Sequence, residues 1–214
     1  MDAPPEPTPL YRAVAAASRP IVNTLFRLRA CGPEHVPEHG GFVLAANHLS
    51  GLDPWPLGLP LYPRQLHYMV KAELWKPGLR PLFTAVGTFP VRRGEHDEEA
   101  FETAVRLVRD GQVMAMFPEG TRRRKKLRTE HVRRPHTGTA RVALAAAAPL
   151  VPAAIRGTDR LLRLGPFRVI YGPPIPLDDL RGRDSHEAAI EATERLWTEI
   201  KRLEARLDAE QRRD

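Results

Sequence analysis

The chain of 214 residues has one cysteine, Cys31, so it can form no internal disulfide and build no multi-cysteine metal site. That scarcity fits a reducing compartment. Long apolar stretches are missing too. The longest spans residues 142–155, 14 residues interrupted by Pro149 and Pro152, and a membrane-spanning helix needs roughly 18 to 20. Residues 1–9 are acidic and proline-rich, without the basic and apolar segments of a secretory signal. They are expected to form a disordered leader. No segment repeats another.

Proline is in excess, with 22 residues. This excludes a long uninterrupted helical rod and predicts many short elements. A hydrophobic share of 42% and a charged share of 28% suit one globular domain. The net charge of +7 is local: residues 119–141 hold nine Lys/Arg and two Glu, and the rest of the chain is neutral overall. A focused cationic loop points to an anionic partner such as phosphate, anionic lipid or nucleic acid, or else is a solvated loop. Residues 122–134 contain no aromatic side chain, and no nucleic-acid motif surrounds them, which argues against nucleic acid.

Residues 10–30 read as amphipathic helix, in two pieces because Pro20 cannot sit inside a straight one. Leu10, Val14, Ile21, Leu25 and Leu28 form an apolar stripe, with Arg12, Arg19, Arg27 and Arg29 largely off it. Such a helix docks on a core, lies on a membrane surface, or does both at an edge that meets lipid. From Gly41 onward short apolar runs alternate with amphipathic stretches. Strands are expected at 42–46, 66–70, 84–91, 113–117, 150–155 and 167–171. Helices are expected at 96–109 and 137–147, with a last one opened by Asp184 and Glu187. The alternation indicates an α/β domain, residues 31–214, with a largely parallel sheet flanked by helices.

Three segments carry chemistry. The first is Asn47-His48-Leu49-Ser50-Gly51-Leu52-Asp53-Pro54, which begins where a buried strand ends. Five residues along a regular helix would turn His48 about 140° away from Asp53. The two meet only if the chain turns, which Ser50 and Gly51 permit. Pro54 should keep Asp53 out of helical geometry. A carboxylate on one imidazole nitrogen leaves the other as a base. No convincing nucleophile is present, so a dyad acting on a substrate's own hydroxyl fits better than a triad. The plain alternative is a helix-capping Asp53 and a satisfied loop histidine.

The second segment, Phe117 to Arg122, reads Phe-Pro-Glu-Gly-Thr-Arg after a strand. Turn amides, a hydroxyl and a guanidinium there could clamp phosphate, without the spacing or lysine of a nucleotide P-loop. Glu119 would hold the clamp in shape. The third, residues 87–94, ends a strand with Arg92 and Arg93. Each is otherwise a solvated turn or strand end.

Together and in order, Asn47-His48-…-Asp53, Gly87-…-Pro90-Val91-Arg92-Arg93, Phe117 to Arg122 and Leu150-Val151-Pro152-Ala153-Ala154-Ile155 resemble the blocks of the glycerolipid acyltransferase family. The best-known members of that family are 1-acylglycerol-3-phosphate acyltransferases. The resemblance implies transfer of a fatty acyl group from a thioester, on coenzyme A or acyl carrier protein, to a lysophospholipid hydroxyl. His48 would be the general base and Asp53 its orienting partner, with Asn47 in support. Arg122, Glu119, Gly120, Thr121 and Arg93 would bind the acceptor's phosphate. No cofactor, metal or acyl-enzyme is implied. Arg123 and His136-Thr137-Gly138 stand where the family usually has serine and Lys-Gly, which bears on the acceptor head group. The expected setting is peripheral, on the cytoplasmic face of an anionic membrane. The rival expectation is a lipid-binding protein of the same fold without catalysis.

Overall fold

The computed structural model describes residues 5–92, 97–120 and 135–211. Its centre is β2 (Phe42–Ala46), buried along its whole length. Phe42, Leu44 and Ala46 enter one core, and Val43 and Ala45 enter the other. A strand covered on both faces needs an unbroken apolar run, which Phe-Val-Leu-Ala-Ala supplies. Around it lie β1 (Arg29–Cys31), β3 (Leu66–Lys71), β4 (Thr88–Val91), β5 (Val113–Met116), β6 (Leu150–Arg156) and β7 (Arg168–Tyr171) in one seven-stranded sheet. The order is β1-β7-β6-β2-β5-β3-β4, parallel except between β6 and β7. Pro90 is tolerated because β4 is an edge strand.

Helices α4 (Glu98–Arg109), α5 (Gly138–Ala145) and α6 (Ser185–Gln211) cover one face. Leu196, Ile200, Leu203 and Leu207 form the buried stripe of α6 that the spacing predicts. The Asp184 carboxylate caps α6 by accepting the His186 and Glu187 N–H groups. The other face is covered by α2 (Pro54–Gly58) and a 3-10 turn, Leu59–Leu61, and beyond them by α1 (Pro9–Thr24).

Several expectations need correction. Residues 10–30 are not two helices. A single helix, α1, runs through Pro20 and ends at Thr24, and β1 follows as part of the sheet. The hydrogen bond Pro20 cannot donate would have gone to Ala16; both residues are exposed, so no buried carbonyl is left unpaired. The core-facing side of α1 is Ala15, Ser18 and Val22 with Phe26 beyond, while Leu10, Val14, Ile21 and Leu25 point outward. Of the leader expected at residues 1–9, residues 1–4 lie outside the described residues, Pro9 opens α1, and Thr8 is tied down: its N–H donates to Gln65 at 2.8 Å and its hydroxyl to the Ala85 carbonyl at 2.5 Å. The strand expected from residue 84 starts at Thr88, because Arg80–Ala85 forms helix α3. A short apolar run does not distinguish helix from strand. Gly87 turns the chain between them at φ +79°, where a Cβ would sit 2.7 Å from the Leu66 carbonyl oxygen.

Candidate active site

At the C-terminal end of β2 the chain leaves the sheet through Asn47. Its side chain bonds both backbone groups of Ile155 on β6 and is fully buried. The next residues fold into a tight loop around one carboxylate. Asp53 Oδ2 accepts from His48 Nδ1 at 2.7 Å, from the Leu49 N–H at 2.7 Å and from the Ser50 N–H at 2.9 Å. The loop thus brings together two side chains that a regular helix would hold apart. Asp53 itself is helical, at φ −52° and ψ −38°, against the expected influence of Pro54. The donors converging on its side chain outweigh that local preference. Nor does its side chain cap α2; it serves the loop before the helix.

With Asp53 accepting at Nδ1, the network assigns the proton to that nitrogen and leaves Nε2 as the basic position. Nε2 makes no hydrogen bond among the described residues. The imidazole stacks on Phe117 at 4.2 Å, with 14° between the rings, and His48 is 7% exposed. Phe117 is followed by the buried Glu119, whose carboxylate accepts the His48 N–H at 3.2 Å. The second segment therefore grips the first through the Glu119 carboxylate. Tyr68 stands behind Phe117 and donates to the Pro54 carbonyl at 2.9 Å. Burial, aided by Tyr11, Tyr171 and the Asp53 charge, holds its phenol well above the usual range, so it stays a neutral donor.

Gly120 closes the turn at φ +68°, its N–H on the Phe117 carbonyl at 2.9 Å. The His136 ring fills the space where a side chain at 120 would go, 2.8 Å from the Cβ position. Arg93, Thr121 and Arg122, and the basic stretch 122–134, lie outside the described residues. Sequence reasoning missed Thr158, whose hydroxyl donates to Asp53 Oδ1 at 2.5 Å. The only signal was its place just after the strand that ends at the site. Among the described residues no group of three or more His, Cys, Asp or Glu is placed to hold a metal ion.

A buried histidine oriented by a carboxylate, at the C-terminal end of a central strand and beside a glycine turn, is equipped to take a proton from a hydroxyl. The acyltransferase family model matches residues 27–156. A 1-acyl-sn-glycerol-3-phosphate acyltransferase of Bacillus subtilis (strain 168) is 30% identical over 203 residues, covering 93% of this chain and 99% of that one. An uncharacterised protein of Mycobacterium leprae is 30% identical over 175 residues, 73% of this chain and 46% of its own. The crystal structure of the 1-acyl-sn-glycerophosphate acyltransferase PlsC from Thermotoga maritima shares the fold, with a TM-score of 0.67 and 22% identity over 92% of this chain and 80% of that one. The chain belongs to the glycerolipid acyltransferase family.

Proposed function

We propose that this enzyme moves a fatty acyl group from acyl-CoA or acyl carrier protein to the free hydroxyl of 1-acyl-sn-glycerol-3-phosphate, in phospholipid biosynthesis. The observation that carries the reading is the buried His48–Asp53 pair with Nε2 left as base. Support comes from the Bacillus subtilis relative, which matches over nearly the whole of both chains. His48 Nε2 takes the hydroxyl proton as the oxygen attacks the thioester carbonyl. The tetrahedral oxyanion collapses, the C–S bond breaks, and the departing thiolate recovers the proton from His48. An ester and a free thiol result. Anchoring the acceptor's phosphate by Glu119, Gly120, Thr121, Arg122 and Arg93 supplies proximity and orientation.

In this reading the enzyme works as a peripheral protein on the cytoplasmic face of an anionic membrane. No helix among the described residues is long and apolar enough to cross a membrane. The exposed Leu10, Val14, Ile21 and Leu25 of α1, and Leu74, Leu79 and Leu82 around α3, offer an apolar surface for lipid.

The test is a product assay: purified protein with palmitoyl- or oleoyl-CoA, or acyl carrier protein thioester, and a panel of lysophospholipids, beside His48→Ala. Diacyl product by mass spectrometry, reduced roughly 10²- to 10⁴-fold in the folded variant, is expected. Equal activity in the variant overturns His48 as base. No product from any donor and acceptor, with vesicle binding retained, overturns the enzyme reading in favour of a lipid-binding protein.

A further inference from the structure

The two oxygens of Asp53 are held from different parts of the chain. Oδ2 takes N–H groups from its own loop: His48, Leu49 and Ser50. Oδ1 takes the hydroxyl of Thr158, which is 105 residues away in sequence. Both side chains are out of reach of solvent, Asp53 at 0% and Thr158 at 1% exposure. The turn that delivers Thr158 depends on Gly157, at φ +93°, where a Cβ would lie 2.3 Å from the Pro166 carbonyl oxygen. Two residues earlier, Ile155 receives the Asn47 side chain. The end of β6 therefore grips the catalytic loop at both its first and last residues.

We propose that Thr158 is a positioning residue for the base: its hydroxyl fixes the plane of the Asp53 carboxylate so that Oδ2 faces His48 Nδ1. This rests on the reading of His48 as the base. The terminal torsion of an aspartate is broad and roughly two-fold, so an oxygen held only by its own loop leaves the plane free to rock. Among the described residues, Glu119 meets the His48 N–H, and Arg156, Asp159, Arg160 and Asp208 line the hollow that Leu49 borders; none is altered when Thr158 is substituted.

The experiment compares Thr158→Val, Thr158→Ala and Thr158→Ser with wild type in thermal melts, steady-state kinetics, and proton NMR of the downfield His48 Nδ1–H. The alanine variant serves if valine does not fold. Loss of the hydroxyl is expected to lower kcat roughly 10- to 100-fold, the usual range for one hydrogen bond to a charged group. Acceptor KM should hold and the Nδ1–H resonance should shift. Serine should restore both kcat and the resonance. Serine and valine failing alike, in step with melting temperature, would overturn the proposal, as would a valine variant with wild-type kcat and resonance. If wild type transfers no acyl group, the functional reading fails, and the resonance alone still decides whether Thr158 sets the pair.

Discussion

Asn47 pairs with Ile155 as though its side chain were one more strand residue. The side-chain oxygen accepts the Ile155 N–H at 2.7 Å, and the side-chain nitrogen donates to the Ile155 carbonyl at 3.0 Å. The β2–β6 ladder ends at Ala46↔Ala153, so the amide extends it while the backbone turns away toward His48. Asn47→Ala would leave both Ile155 groups buried without partners, at a cost of about 2 to 4 kcal/mol. Urea unfolding should show that loss. Asn47→Asp should be no better, because a carboxylate cannot donate to the carbonyl. A stability within error of wild type in the alanine variant would show that water replaces the amide.

Asp53→Asn tests the other end of the loop. Asp53 accepts from His48, Leu49, Ser50 and Thr158. An amide has one oxygen for these donors and turns N–H groups toward the rest. The imidazole then favours the wrong tautomer, with its proton on Nε2. Turnover should fall about 10³- to 10⁴-fold with acceptor KM little changed. Steady-state kinetics on variant shown to be folded would check it, and a large rise in KM with kcat intact would refute the orienting role.

The parts of the site legible in the sequence were those fixed by local chemistry. The five-residue gap between His48 and Asp53, with Ser50 and Gly51 between, implied a turn that the structure makes through the Leu49 and Ser50 N–H groups. The unbroken apolar run at 42–46 implied a strand buried on both faces. What escaped depended on distant packing. Thr158 is an ordinary threonine until the fold brings it to Asp53. Pro20 reads as a break because its harmlessness depends on Ala16 being exposed. The apolar stripe of α1 is legible as a stripe, but the face that packs on Leu59 and Phe167 is the other one, and periodicity does not register those partners.

Gly120→Ala should separate acceptor binding from chemistry. The φ of +68° costs an alanine roughly 1 to 2 kcal/mol. The new methyl also meets the His136 ring, 2.8 Å from the Cβ position. Acceptor KM should rise more than kcat falls, since the His48–Asp53 contact does not involve residue 120. Adding His136→Ala should relieve the clash and recover part of the melting temperature, though not the backbone strain. A double variant no more stable than Gly120→Ala would show that the ring had already moved aside.

Arg195 links α6 to the preceding turn through Asp179 and pairs with Glu191 one turn back along the helix itself. Its hydrogen bonds hold both carboxyls below their usual values, with Arg183 adding to the effect at Glu191. Because the folded values are lower than the unfolded ones, this stabilisation is complete above about pH 5 and is lost as pH falls through the lowered values. The difference in melting temperature between wild type and Arg195→Gln should therefore shrink below about pH 4. All three side chains are partly exposed, so high salt should narrow the gap at neutral pH as well. A gap that ignores both pH and salt would mean that the bond from Arg195 to the Pro176 carbonyl carries the effect.

The outward stripe of α1 gives the most direct test of membrane attachment. Val14 is 41% exposed and Ile21 49%, while Ala15 and Val22 beside them face the core. Replacing both Val14 and Ile21 with aspartate removes apolar surface and adds negative charge without touching a buried residue. Exposed substitutions of this kind usually change stability by less than about 0.5 kcal/mol. If α1 lies in the lipid interface, the double variant should lose co-sedimentation with vesicles containing phosphatidylglycerol and keep its melting temperature. Activity on a short-chain, monomeric acceptor should survive, because His48 and Asp53 are unaltered, while activity on vesicle-borne acceptor should fall. Undiminished binding would shift attention to Leu74, Leu79 and Leu82, whose aspartate variants would then be measured in the same assay.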